Sequence, residues 1–150
     1  MLEIRKMRHD DVETLYDIAL RSFRRDYEKR GVYPPLINLK RRKFLPLIVF
    51  GKTILYDGEI IGGAFVARIF RKGELGAIFL NPSHQGKGYG RQAMQMIEAS
   101  HPKAKTWKLV TPADSHGLHR FYESLGYVKA GEKEDAGSGI RGFIFRKTIE

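Results

Sequence analysis

Apolar residues along this chain change their period several times, and each change predicts a new element. Leu2 and Ile4 alternate with charged neighbours, which predicts a strand over 2–7 with one buried face. From Asp10 the spacing lengthens. Val12, Leu15, Tyr16, Ala19, Phe23 and Tyr27 recur every three or four residues, the signature of a helix that packs one stripe on a core. Asp10, with Glu13 three residues later, reads as its N-cap, and Gly31 as its end. Asp17, Arg21, Arg24 and Arg25 take the opposite face. Pro34-Pro35 interrupts the chain, and Leu36 to Leu45 predicts a second, short basic helix ahead of Pro46.

Past Gly51 the period becomes two. Lys52 to Tyr56 and Glu59 to Phe70 predict two strands joined at Asp57-Gly58, a pair that accepts the positive φ angles of a type I′ turn. Gly62-Gly63 predicts a bulge or bend in the second of them. Arg71-Lys72-Gly73 turns the chain into a strand over 74–80 that stops at Asn81-Pro82. Next comes a helix over 88–100 with Ala93, Met94, Met96 and Ile97 as its apolar stripe, then a strand over 104–110 that contains Trp107. A further helix begins at Asp114-Ser115, buries Leu118, Phe121, Tyr122 and Leu125, and ends at Gly126. Strands over 127–130 and 140–149 flank Gly137-Ser138-Gly139. Strand, glycine loop, helix and strand in succession over 74–110 imply a crossover between parallel strands, and ligands of such units bind at the carboxyl ends of the strands.

A chain of 150 residues predicts a single domain over 1–150, without repeat or linker. Its 42% hydrophobic and 29% charged residues are those of a soluble globular protein, and no apolar run is long enough for a membrane span. Met1 to Arg5 alternates like a strand and lacks the apolar core of a signal peptide. The absence of cysteine agrees with a cytoplasmic location and excludes disulfides, thiolate metal sites and a thioester on the enzyme. The net charge of +10 is concentrated, since nine basic residues face two acidic ones between Arg21 and Lys43. Such a segment suits nucleic acid, an acidic protein, an acidic small molecule or a plain solvated face. The aromatic interleaving of single-strand binders is missing.

The chemistry concentrates at Gln85-Gly86-Lys87-Gly88-Tyr89-Gly90-Arg91. Three glycines in five residues, between a strand and a helix, put unshielded amide groups at a helix N-terminus, and Lys87 and Arg91 add charge. That combination suits a phosphate, although glycines also make ordinary turns. A P-loop is excluded because no Gly-Lys-Ser/Thr follows, and the spacing of a dinucleotide fingerprint fails.

The segment Leu80-Asn81-Pro82-Ser83-His84-Gln85-Gly86-Lys87-Gly88-Tyr89-Gly90-Arg91 resembles motif A of the GNAT family of N-acetyltransferases, in which Gln/Arg-x-x-Gly-x-Gly/Ala opens a helix. Leu118 to Tyr127, with Tyr122, Gly126 and Tyr127 in a Tyr-x-x-x-Gly-Phe/Tyr pattern, resembles motif B. The resemblance implies an α/β (α+β) fold: a central, mixed, mostly antiparallel sheet of about seven strands with about four helices, and a splayed parallel pair around the cofactor loop. It also implies that the chain is an enzyme that uses acetyl-CoA and needs no metal.

Individual positions follow from the same resemblance. The amides of Gln85, Gly86, Lys87, Gly88, Tyr89 and Gly90 would hold the pyrophosphate, with Lys87 and Arg91 beside it. Leu80 would aim its N–H at the thioester carbonyl, and Tyr122 would protonate the departing thiolate. Tyr122 also falls on the buried stripe, where a tyrosine can simply fill space. Glu74, eleven residues before Gln85, takes the place of the base in histone-acetylating relatives. Its parity puts it on the face of Leu80, but six strand residues span roughly 20 Å, so a water chain would have to link it to the reaction. His84, His116 and His119 are rival bases. His116 and His119 lack a third metal ligand and read as solvated. Ser115 and Leu118 stand where the family often has Asn and Ala. The acceptor would be a small-molecule or peptide amine, with an acidic one suggested by the basic segment, and a homodimer is open. The alternative is a non-catalytic module that binds acyl-CoA, or binds nucleic acid through residues 21–43.

Overall fold

Strands and helices alternate around one seven-stranded sheet in this computed structural model, which describes residues 1–30, 45–134 and 139–149. Gly31, the basic helix expected from Leu36, and Gly137-Ser138 lie outside the described residues. The strands are β1 Leu2–Lys6, β2 Gly51–Tyr56, β3 Glu59–Ile69, β4 Lys72–Leu80, β5 Thr106–Pro112, β6 Val128–Glu134 and β7 Arg141–Thr148, in the spatial order β1-β2-β3-β4-β5-β7-β6. All neighbours are antiparallel except β4 and β5, the pair spanned by the crossover. Four α-helices are described: α1 Val12–Ser22, α2 Arg24–Arg30, α3 Tyr89–Ala99 and α4 His116–Ser124. Among the described residues, no helix is long and apolar enough to cross a membrane.

The helices divide between the two faces of the sheet. Val12, Leu15, Ile18 and Ala19 of α1 pack with Phe65 and Phe79 on one face. Met94 and Ile97 of α3 and Tyr122 of α4 pack with Val66, Leu75, Trp107, Leu109 and Phe145 on the other. The expected stripes hold apart from Tyr27, exposed beyond α1, and two further residues. Met96 and Leu118 are exposed, and the neighbouring His119 is buried in place of Leu118.

The first hairpin turns at Asp57 and Gly58, both with positive φ, as a type I′ turn requires. The Gly62-Gly63 expectation also holds. Ile54 pairs with Gly62 but Leu55 pairs with Ile60, so Ile61 is the extra residue of a bulge. Gly62 is required there by proximity, because a Cβ on it would lie 2.2 Å from the Phe79 carbonyl oxygen.

Two expectations for the N-terminal region need correction. The long helix is two helices, broken at Phe23, so Tyr27 lies on α2 and is exposed. Asp10 does not cap it. A 3-10 turn over His9–Asp11 leads into α1, and the residue put to use is Asp11. Its buried carboxylate accepts from both Arg5 guanidinium nitrogens at 2.6 and 3.0 Å, from the Arg8 amide at 2.8 Å and from the Thr53 hydroxyl at 2.9 Å. One side chain therefore joins β1, the start of α1 and β2. A buried charge is tolerable only with this degree of pairing.

The Arg5 hydrogen bonds hold the Asp11 carboxyl at about 2, below its ordinary 3.8. A depressed carboxyl adds stability above its unfolded value that is lost as pH falls through its folded value. Urea midpoints should therefore fall between about pH 4 and pH 2. Asp11→Asn should remove that step and cost on the order of 2 kcal/mol at neutral pH. An unchanged acid limb in the variant would show that Asp11 is not its source.

Candidate active site

Where β4 and β5 stop pairing, the backbone becomes available to a ligand. The parallel ladder runs from Lys72 opposite Thr106 to Leu75 opposite Leu109 and ends there, while β4 continues five residues to Leu80. The separation begins at a bulge. On the β3 side, Phe65 pairs with Ala77 but Val66 pairs with Leu75, so Gly76 is an extra residue in β4.

Beyond the bulge, β4 still pairs with β3. Hydrogen-bonding direction alternates along a strand, and the Asn81 amide donates to the Ile61 carbonyl at 2.7 Å. The N–H groups of Leu80 and Ile78 therefore point the other way, into the gap. The side-chain amide of Gln85 donates to the Leu80 carbonyl at 3.0 Å and lies 3.5 Å from the Ser22 hydroxyl, so it reaches the same opening and α1. Sequence reasoning singled out Leu80 and not Ile78. The only signal for Ile78 was its parity with Leu80.

The bulge also corrects the placement of Glu74. Counting by twos puts it on the face of Leu80, but the extra residue inverts that relation. Leu75 shares the α3–α4 face with Ile78 and Leu80, so Glu74 faces the α1 side. The turn lies at Phe70-Arg71, which leaves Glu74 inside β4, exposed and beside Lys108.

The gap leads to the glycine loop. Asn81 accepts from the Ser83 amide as the chain enters a short 3-10 turn, and the loop then opens α3 with Gly88 as its N-cap residue. Gly86 and Gly88 have φ of 75° and 84°, and a Cβ on either would meet nothing within 4 Å. Glycine is needed there for conformation, and the space beside it is open. The first helical bond runs from the Gln92 amide to the Gly88 carbonyl, so the amides of α3's first turn have no acceptor within the helix. They point with the helix dipole towards a site suited to phosphate.

Side chains around the loop are arranged unevenly. Lys87 is exposed. Tyr89 turns back onto Tyr56, with ring centroids 4.8 Å apart, and a hydrogen bond between the two phenols raises the pKa of Tyr56. Arg91 donates to the Ser124 hydroxyl at 2.6 Å, so its guanidinium fastens α3 to α4. A Cβ on Gly90 would lie 3.5 Å from the Phe121 ring and 3.8 Å from a methyl of Leu80. The end of β4, the start of α3 and the middle of α4 thus converge.

Tyr122 is buried next to Phe121 and Tyr127, and removal from water raises its pKa. Its phenol keeps its proton at neutral pH. The histidines separate. His84 and His116 lie towards the surface, whereas His119 is buried, stacked on Phe143 at 5.1 Å, with its Nε2 2.9 Å from the Pro112 carbonyl. That corrects the expectation that His119 is solvated. On the α1 side, Lys29 forms an ion pair of 3.1 Å with Asp114, which anchors α2 to the segment after β5.

The sequence profile of the acetyltransferase (GNAT) family matches residues 12–127. Among solved structures, the PaiA N-acetyltransferase from Thermoplasma acidophilum in complex with coenzyme A has 24% identity and a TM-score of 0.80 over 99% of each chain. The ribosomal-protein-S18-alanine N-acetyltransferase from Escherichia coli has 18% identity and a TM-score of 0.80, covering 100% of this chain and 95% of that one. Ard1 from Thermoplasma volcanium has 16% identity and a TM-score of 0.80, over 99% and 98% of the two chains. At these identities the structural likenesses establish the fold. No individually curated protein matches the chain.

Burial of neutral Tyr122 and Tyr127 has a consequence at high pH. A folded-state pKa above the unfolded value of 10.0 gives stability that is complete below that value and is lost as pH rises. Ultraviolet titration should therefore show these two phenols ionising only together with alkaline unfolding. Tyr122→Phe should remove one phenol from that step, and the same step size in the variant would place Tyr122 among the freely titrating tyrosines.

Proposed function

The chain belongs to the acetyltransferase (GNAT) family, and we propose that it transfers an acetyl group from acetyl-CoA to a primary amine by direct attack on the thioester. The observation that carries this reading is the gap after the Leu75–Leu109 pair, lined by the N–H groups of Ile78 and Leu80 and continuous with the glycine loop. Acetyl-CoA supplies an activated acyl group on a thiol leaving group; the remaining roles fall to the protein.

The amides of residues 85–90, with exposed Lys87, hold the pyrophosphate. Open space beside Gly86 and Gly88 fits that role, since a phosphate must approach the backbone closely. The N–H of Leu80, or of Ile78 two residues before it, meets the thioester oxygen as negative charge develops. A donor fixed in a strand needs little reorganisation, and this is the usual source of large electrostatic stabilisation. Tyr122 gives its proton to the sulfur. The phenol is protonated at neutral pH, burial makes it a weaker acid that gives up its proton only to a strong base such as a thiolate in contact with it, and α4 is held against α3 by the Arg91–Ser124 contact.

The amine approaches from the face opposite α3, which is the face of Glu74. Glu74 is exposed and removes the proton through water. Arg21, exposed on α1, favours an acidic acceptor on that side, whereas Arg24 and Lys29 are already paired with Glu28 and Asp114. Residues 1–150 act as one unit in this scheme, because β4, β5, α1 and the glycine loop all contribute to one sheet opening.

Thiol release from acetyl-CoA across a panel of amines, paired with thermal shift by CoA, tests the reading. CoA should raise the melting temperature and at least one amine should release thiol. A CoA shift without turnover on any amine would leave a non-catalytic acyl-CoA binder. In Tyr122→Phe, kcat should fall on the order of 100-fold with the CoA shift retained. An unchanged rate across the pH range would remove Tyr122 as the acid.

A further inference from the structure

One row of charge on the α1 side of the sheet forms no ion pair among the described residues. Just before the strands separate, Glu74 of β4, Lys108 of β5 and Arg146 of β7 are register partners in sequence, side by side on the same face. Neither Lys108 nor Arg146 has an ion-pair partner among the described residues, and Arg146 is exposed. Other basic residues near the C-terminal strands do. Arg141 and Lys129 share Glu132, and Lys147 pairs with Glu98 at 2.7 Å. Like charges directly opposite one another in a sheet repel, and Glu74 beside Lys108 offsets this only on the β4 side.

The next row explains where a ligand would lie. Val110 of β5 and Ile144 of β7 are partners on the same face, and Val110 is 40% exposed although its strand is central in the sheet. Beside them, Gly142 is buried, and a Cβ on it would lie 2.8 Å from a Val110 methyl. The result is a smooth apolar ledge at the fork. It carries an acid on the β4 side and two bases on the β5–β7 side. Glu74 and Arg146 stand two strand spacings apart, roughly 10 Å.

We infer that the acceptor is a small amine that carries its own carboxylate, held by Lys108 and Arg146, with its apolar part over Val110 and Ile144 and its amino group beyond them in the gap, where Glu74 reaches it through water. This rests on the acetyl-transfer reading and names the substrate class of the same site. The bases stabilise only an anion, and the unpaired Glu74 stabilises only an ammonium before its proton leaves. A small zwitterion answers both, with its carboxylate on the two bases and its ammonium linked to Glu74 through water. An acidic protein would have to present an amine and a carboxylate at that same short spacing.

The test uses free α- and ω-amino acids, each beside its carboxamide, and short acidic peptides with a free amino terminus. With the full-length enzyme, kcat/KM should favour the carboxylate over its amide by roughly 10- to 100-fold. In the Lys108→Gln/Arg146→Gln double variant that ratio should collapse towards one, and Arg146→Glu should bring it below one. Arg146 is exposed and Lys108 half-buried, so circular dichroism and melting temperature should confirm that the variants fold. A carboxylate preference absent from wild type, or retained in the double variant, would overturn the inference while leaving acetyl transfer standing. Peptides used better than every free amino acid would overturn the small-acceptor assignment. Thermal shift of the CoA-loaded protein separates the two readings. If no acceptor turns over but carboxylates still stabilise wild type and not the double variant, transfer fails and the carboxylate site stands.

Discussion

The parting of β4 from β5 is the constraint on which the rest depends. Backbone N–H and C=O groups inside a sheet are normally consumed by the ladder, and leaving them unpaired away from water is costly. Here the ladder is released at a bulge after four register pairs, and the released groups face a gap. The Gln85 side chain satisfies one of them, the Leu80 carbonyl, and the N–H groups on the same side remain directed at whatever enters. The next charge-seeking amides come from the glycine loop and the first turn of α3. A polar ligand that completes this continuous row restores what the sheet gave up.

Holding two strands apart requires support on both faces. On one, Leu75, Ile78 and Leu80 are covered by α3 and α4, and Arg91 with Ser124 fastens those helices together. On the other, Phe79 packs under α1 and meets Phe23 edge to face at 6.4 Å. The N-terminus of α1 is fixed in turn by Asp11 between Arg5 and Thr53. A carboxylate far from the fork thus helps set its geometry, because α1 can brace β4 only if its own start is fixed to β1 and β2.

The parts legible in the sequence were those with a local physical cause. Asp57-Gly58 demanded a turn of positive φ, the spacing of Ala93, Met94 and Ile97 demanded a helix face, and the glycines at 86 and 88 demanded backbone that other residues avoid. The illegible parts were decided by neighbours distant in sequence. The bulge at Gly76 exists only relative to the β3 register, so counting along β4 put Glu74 on the wrong face. His119 and Leu118 are adjacent on α4 and lie about 100° apart around its axis, on either side of Tyr122, so either can border the buried stripe. Phe143, Phe145 and the Pro112 carbonyl selected the histidine. Asp11 had a helix-start signature no better than Asp10's, and its role became visible only with Arg5 and Thr53 around it.

The same inversion at Gly76 gives the two faces of the fork different chemistry. Had β4 kept strict alternation, Glu74 would project towards α3 and α4, into the apolar cluster around Trp107 and Leu109. An ionised carboxylate there would be expensive and would sit near the phenol of Tyr122. The extra residue sends it to the opposite, solvated face. The buried phenol of Tyr122 and the exposed carboxylate of Glu74 therefore lie on opposite sides of the sheet. In the proposed transfer these two are proton donor and proton acceptor, which need opposite environments to work at one pH, and the extra glycine in β4 provides the one around Glu74.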